Sequence, residues 1–161
     1  MPTTQEISDQ IEIARVLNRY FRSMDTKDYG LLDSVFTPDA EVHYENPGDL
    51  MTTYRDMVPV FEAFNDSFFF MQHMASQFDI EVDGDTAIST NNLRAVHFQE
   101  TNDGRENRWV VHGTYRDELV RTPDGWRVRS RHFRGGHIEG ELLPADQVKS
   151  FPRPRHLQAR P

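Results

Sequence analysis

An α+β fold, with a curved sheet wrapped around helices from the first part of the chain, follows from three features of this sequence. Apolar residues recur at helical spacing in the first third of the chain. Long runs in the second half alternate apolar and polar residues instead, as half-buried strands do. Three tight-turn signals, Asp83-Gly84-Asp85, Asn102-Asp103-Gly104 and Pro123-Asp124-Gly125, divide that half into four strands at roughly 69–82, 86–100, 107–121 and 126–134. Strands joined in succession by tight turns run antiparallel, so this half is a long meander.

The first helix has a visible start. Thr3 with Glu6 three positions on reads as a capping box, and Ile7, Ile11, Ala14, Leu17, Phe21 and Met24 form one apolar stripe behind it. Asp25 stands at the end of that stripe, displaced into the following turn. A second short helix is predicted from Lys27-Asp28, carrying Leu31, Leu32, Val35 and Phe36 inward until Pro38 stops it. Glu41 to Glu45 alternates as a strand with Val42 and Tyr44 on one face, and Pro and Gly between Asn46 and Thr53 mark a loop. Tyr54, Val58, Phe61 and Phe64 fit a third helix, with Pro59 tolerated only near its first turn. Arg134-Gly135-Gly136-His137 is expected to end the sheet. The chain then divides into one domain, 1–140, and a Pro- and Arg-containing tail, 141–161, that packs over a neighbour or frays.

Composition narrows the function classes. A chain of 161 residues fits one domain, and 37% hydrophobic residues with 11% aromatic can build a packed interior. A formal charge of −8 repels phosphate backbones and anionic lipid, so neither a nucleic-acid nor a membrane partner is expected. The acid-free stretch holding Lys149, Arg153, Arg155 and Arg160 reads as a solvated terminus. Without cysteine there are no disulfides, thiolate metal sites or Cys nucleophiles, which fits the cytoplasm. No secretory signal is visible at the start, and no apolar run approaches the ~20 residues that cross a bilayer.

The residues of chemical interest are polar groups on apolar faces. Asp25 follows Met24, and His73 shares a strand face with Phe69, Met71 and Ala75. Burying a carboxylate and an imidazole is costly unless they bond each other. Paired, they make a general base, with the carboxylate fixing the tautomer and Nε2 left free to take a proton. Spacing alone does not pair them, and either could be a satisfied core group. Arg129 and Arg131 alternate against Trp126 and Val128, so one of them anchors an anion or both line a solvated face. His112 points to the opposite face from Tyr115. His132 and His137 lack a third ligand at suitable spacing, so no metal is expected. No Gly-rich phosphate loop is present, and no cofactor is expected.

Arg19-Tyr20-Phe21-Arg22-Ser23-Met24-Asp25-Thr26-Lys27-Asp28-Tyr29, with Val35-Phe36-Thr37-Pro38-Asp39-Ala40, resembles the opening of SnoaL-like proteins, members of the NTF2-like cone fold. Met71-Gln72-His73-Met74, Ile80 to Ala87, Gly113 to Arg121 and Asp124 to Val128 continue the resemblance in the family's order, covering roughly 6–134. It implies a curved mixed or antiparallel sheet around the amino-terminal helices. Scytalone dehydratase and hexachlorocyclohexane dehydrochlorinase, within this group, use an Asp–His dyad whose positions Asp25 and His73 match. The same comparison implies substrate contacts at Tyr44, His97 and Tyr115, with Tyr115 standing where the dehydratase has an asparagine. Met24 replaces a tyrosine there, Tyr20 one turn earlier stands in for it, and Phe69 belongs to the apolar ring around the base.

The function so implied is a cofactor-independent lyase, of dehydratase or elimination type, acting on a small apolar oxygenated cyclic molecule. The alternatives are an isomerase or cyclase using the same base, or a non-catalytic small-ligand-binding or dioxygenase small-subunit-like protein. Relatives form dimers or trimers. Outer-face residues such as Val110, Val120 and Phe133 are expected to supply an apolar interface for such a homo-oligomer.

Overall fold

Helix α1 (Thr4–Thr26) begins where Thr3 caps it in the computed structural model, which describes residues 1–45 and 48–152. The Thr3 hydroxyl accepts from the Glu6 N–H, and the Glu6 carboxylate accepts from the Thr3 N–H at 2.6 Å. The buried stripe is rotated from the expected one. Ile13, Val16, Leu17, Tyr20, Phe21 and Met24 face inward, whereas Ile7 and Ile11 are 46% and 49% exposed. Four residues before Ile13 the inward position is held by Asp9, which accepts two bonds from Arg121 and one from Trp126 Nε1. That polar anchor turns Ile7 and Ile11 outward. Asp25 lies in the last helical turn rather than beyond it, because the helix runs on to a left-handed cap at Lys27, φ 54°.

A 3₁₀ helix (Tyr29–Ser34) follows, burying Tyr29 and Leu32. Strand β1 (Phe36–Tyr44) starts five residues before the expected strand and passes through Pro38. Its pairing with the last strand is irregular between Phe36 and Glu41, the stretch where Pro38 has no N–H to give. Strand β2 (Leu50–Thr53) occupies part of the expected loop and pairs antiparallel with β1; four residues at a sheet edge are too few to announce themselves by alternation. Asn46 and Pro47 of that loop lie outside the described residues. In helix α2 (Tyr54–Asn65) Pro59 sits in the second turn, deeper than expected. The carbonyl it leaves unpaired, that of Arg55, belongs to an exposed residue that water can serve.

Strands β3 (Phe70–Asp83), β4 (Thr86–Glu100), β5 (Glu106–Thr122) and β6 (Gly125–Gly140) form the meander. The six-stranded sheet has the order β2-β1-β6-β5-β4-β3, with β1 and β6 parallel and every other pair antiparallel. It curves around α1 to make an α+β cone. β6 continues past the expected stop at Arg134–His137, because the glycines there mark a register shift opposite His112 and Gly113, not an end. Gly113 itself cannot be replaced cheaply, since a Cβ there would meet the Phe133 ring at 2.6 Å.

Two of the three residues expected on an apolar outer face are not exposed. Val110 is fully buried and Phe133 packs inside the cone, while the exposed apolar side chains on the long strands include Phe70, Met74, Ile88 and Ile138, with Phe69 just before β3. After β6 the chain turns back on its own sheet. Gln99, fully buried, donates to the Leu143 carbonyl at 2.9 Å and accepts from its N–H at 3.0 Å. A short 3₁₀ turn (Ala145–Gln147) leads to a bridge between Val148 and Thr101, and the Phe151 N–H donates to Asp66. Arg153, Arg155, Arg160 and the last prolines lie outside the described residues. No helix among the described residues is long and apolar enough to cross a membrane.

Candidate functional site

α1, α2 and the inner face of the sheet enclose a cavity of about 240 Å³. His73 lines it from the inward-facing positions of β3, and Asp25, in the last turn of α1, stands behind that ring. The two side chains meet: His73 Nδ1 and Asp25 Oδ1 are 2.6 Å apart, with the side chains 11% and 26% exposed. The His73 backbone N–H donates to the same carboxylate, 3.0 and 3.2 Å from its two oxygens. The carboxylate thus grips both ring and backbone, which fixes the ring's orientation. With Nδ1 engaged, Nε2 is the free nitrogen of a ring that lines the cavity.

His97 stands edge-on to His73, ring centroids 5.5 Å apart, and is held between Phe68 and Trp109 at 4.9 and 4.8 Å. Burial, with the neighbouring His73, pushes its pKa down to about 3, so the ring is neutral. Its Nδ1 has no partner among the described residues. Across the cavity Tyr20 and Tyr44 share a hydroxyl–hydroxyl bond of 2.7 Å, and Tyr115 joins them in the wall. Burial and the crowding of phenols push Tyr44 and Tyr115 well above the ordinary tyrosine value, so both present O–H donors.

Behind these rings lies Arg131, with no exposed surface, its guanidinium 4.0 Å from the Tyr20 ring centre and 4.5 Å from that of Tyr115. Asp117, equally buried, meets it in a two-pronged pair at 2.6 and 2.8 Å. Burial opposes the charge, and Asp117 more than offsets it, holding Arg131 above the ordinary arginine value. Arg131 is therefore neither on a solvated face nor a free anion anchor; Arg129 is the exposed one, bonded to Glu118 at 3.0 Å.

The remaining expectations divide. Met24 lines the cavity. Phe69 does not: it precedes β3, its N–H donates to the Phe98 carbonyl, and its ring is 44% exposed against Phe98 and Phe151. Strand alternation begins one residue later, so Met71, His73 and Ala75 turn inward without it. His112 bonds Glu139 at 2.7 Å on the outside. His132 stacks on His43 while His137 neighbours His112, so the two histidines serve separate clusters. Among the described residues no group of three His, Asp or Glu side chains could hold a metal ion.

Asn65 was not anticipated. It is 4% exposed at the end of α2, donates from Nδ2 to the Tyr29 hydroxyl at 2.9 Å, and lines the cavity. An amide four residues after Phe61, on the inward stripe of a helix, was its sequence signal. Arg131 had none, because its partner Asp117 is identified only by strand register.

The model of the SnoaL-like domain matches residues 5–132 of this chain. An uncharacterized protein of Mycobacterium tuberculosis is 35% identical over 133 residues, spanning 81% of this chain and 88% of that protein. A Novosphingobium aromaticivorans protein assigned provisionally as a scytalone dehydratase superposes with a TM-score of 0.71 at 20% identity, covering 91% of this chain and 93% of that one. The hexachlorocyclohexane dehydrochlorinase LinA-type3 of Novosphingobium barchaimii does so with a TM-score of 0.67 at 16% identity, covering 86% and 96%.

Proposed function

Because the chain belongs to the SnoaL-like family, we propose that it is a cofactor-independent lyase that eliminates water, or a comparable leaving group, from a small apolar oxygenated ring. The observation that carries this reading is the 2.6 Å Asp25–His73 contact through Nδ1, on a ring that lines a largely apolar cavity. The names given to the two structural neighbours, a dehydratase and a dehydrochlorinase, agree with it.

In this mechanism His73 Nε2 removes a proton from the carbon beside a carbonyl. Asp25 holds the ring and stabilises the imidazolium that results. The carbonyl oxygen gains negative charge as the C–H bond breaks, and the O–H donors of Tyr44 and Tyr115 are the groups suited to meet it. The C–O bond to the β-hydroxyl then breaks, the double bond forms, and the imidazolium returns its proton so that water departs. Apolar walls keep bulk water away and strengthen each of these bonds.

A panel of β-hydroxyketones and enolisable cyclic ketones, screened with wild type, Asp25→Asn and His73→Ala, tests the proposal. Both variants should melt cooperatively like wild type and lose about 100-fold or more in kcat/KM, the scale of a lost general base. Turnover equal to wild type in either variant removes the dyad from the reaction.

A further inference from the structure

The cavity of about 240 Å³ is bordered along α2 by Met57, Val60, Phe61 and Phe64. Along the adjoining face of that helix lies an open groove of about 810 Å³, bounded by Pro59 and Ala63 on one wall and by Leu142, Pro144 and Ala145 on the other. Val60 and Phe64 line both spaces, so two side chains on successive turns of one helix are all that is common between them. Val60 is an apolar residue left 47% exposed at that boundary.

The far wall of the groove is built. Gln99 has no exposed surface and spends both ends of its amide on Leu143, one bond to the carbonyl and one from the N–H. Asn107 in turn donates to Gln99 Oε1 and to the Glu141 carbonyl, each at 2.9 Å. The segment is thereby held at a set distance from α2. At its centre the backbone is already spent: Leu143 is satisfied on both sides, the Pro144 carbonyl accepts from Gln147, and Pro144 has no N–H. A peptide strand needs such main-chain partners, and an alkyl chain needs none.

We propose that the groove is a subsite for an apolar tail, an alkyl or acyl substituent of several carbons, carried by the ring that the cavity holds. The tail passes Val60 and Phe64 and lies between α2 and residues 142–145. This rests on the cavity being the substrate site, and it makes the substrate an alkylated or acylated ring, not a bare one.

Titration calorimetry with 4-methyl-, 4-ethyl-, 4-butyl- and 4-hexylcyclohexanone tests it on the full chain. Wild type should gain about twofold in affinity per added methylene beyond ethyl, half of full burial on a logarithmic scale. Ala63→Arg and Ala145→Arg, exposed positions on opposite walls and outside the cavity, should bind the methyl compound as wild type does and lose the gain for longer chains. A flat series in wild type, no measurable binding of any member, or an undiminished gain in both variants overturns the proposal. So does a change of mass in sedimentation with the gain intact, which would make the groove an interface between copies. His73→Ala, run through the same series, keeps the two readings apart. A gain retained there supports the tail subsite whatever becomes of the proton transfer; dyad-dependent turnover with a flat series sinks the subsite alone.

Discussion

A guanidinium with no exposed surface persists only where a carboxylate meets it squarely, and Arg131 has that in Asp117. The pair's second effect falls on the tyrosines. A positive charge 4.0 Å over the Tyr20 ring and 4.5 Å over that of Tyr115 opposes the rise that burial imposes on Tyr44 and Tyr115, and so keeps their hydroxyls polarised as donors. Asp117→Asn would leave the charge alone in the core. The expected cost is about 3–5 kcal/mol, read as a fall in the urea midpoint, whereas Asp117→Leu combined with Arg131→Met should cost less than the single change. A double variant less stable than Asp117→Asn would show that the pair contributes net stability. Residues of this kind explain the uneven legibility of the site. Asp25 and His73 stood out because polar groups on apolar faces need a reason, while Arg131 sat among alternating arginines and looked solvated. Its burial depends on curvature and register, which no local pattern encodes.

Elements were legible where one periodicity dominates and illegible where a polar anchor or a proline overrides it. β3, β4 and β5 fell within a residue of their expected bounds, but α1 turned to satisfy Asp9, β1 ran through Pro38, and β6 absorbed two glycines in a register shift and ran six residues past its expected end. The junction that matters most for the site is the end of α1. Lys27 caps it in a left-handed conformation, and its buried Nζ donates to the Phe68 carbonyl at 3.0 Å and to the Phe151 carbonyl. One side chain thus ties the helix that carries Asp25 to the residues just before the strand that carries His73. Lys27→Met keeps the backbone strain, since both are non-glycine residues, and removes only those bonds. It should cost about 1–3 kcal/mol and speed amide exchange around Phe69 to Met71 before it affects the meander. Unchanged exchange there would mean that the tie is dispensable. Lys27→Gly, which relieves the positive φ but loses the same bonds, separates the two contributions.

For the molecule as a whole, acid stability should report two groups at opposite ends of the cone. His97 titrates near 3 in the folded chain and near 6.5 when unfolded. As pH falls below about 6.5 the unfolded chain takes up a proton that the folded one refuses. Stability therefore drops toward low pH, approaching about 1.4 kcal/mol per pH unit from this group, until the folded value is reached. Asp9 acts later. Bonds from Arg121 and Trp126 hold its carboxyl well below the usual range, so its contribution is intact above the unfolded value of about 3.9 and is lost only as pH falls beneath it. Urea unfolding between pH 7 and 3 should then show one slope from about 6 to 4 and a steeper one below. His97→Gln should flatten the upper limb and leave the lower, while Asp9→Asn should cost about 2 kcal/mol at neutral pH and remove only the lower steepening. A wild type whose stability does not change between pH 6 and 4.5 would mean that His97 takes its proton in the folded state. A charged His97 beside His73 would raise the cost of forming a second imidazolium there, the step on which the proposed elimination depends.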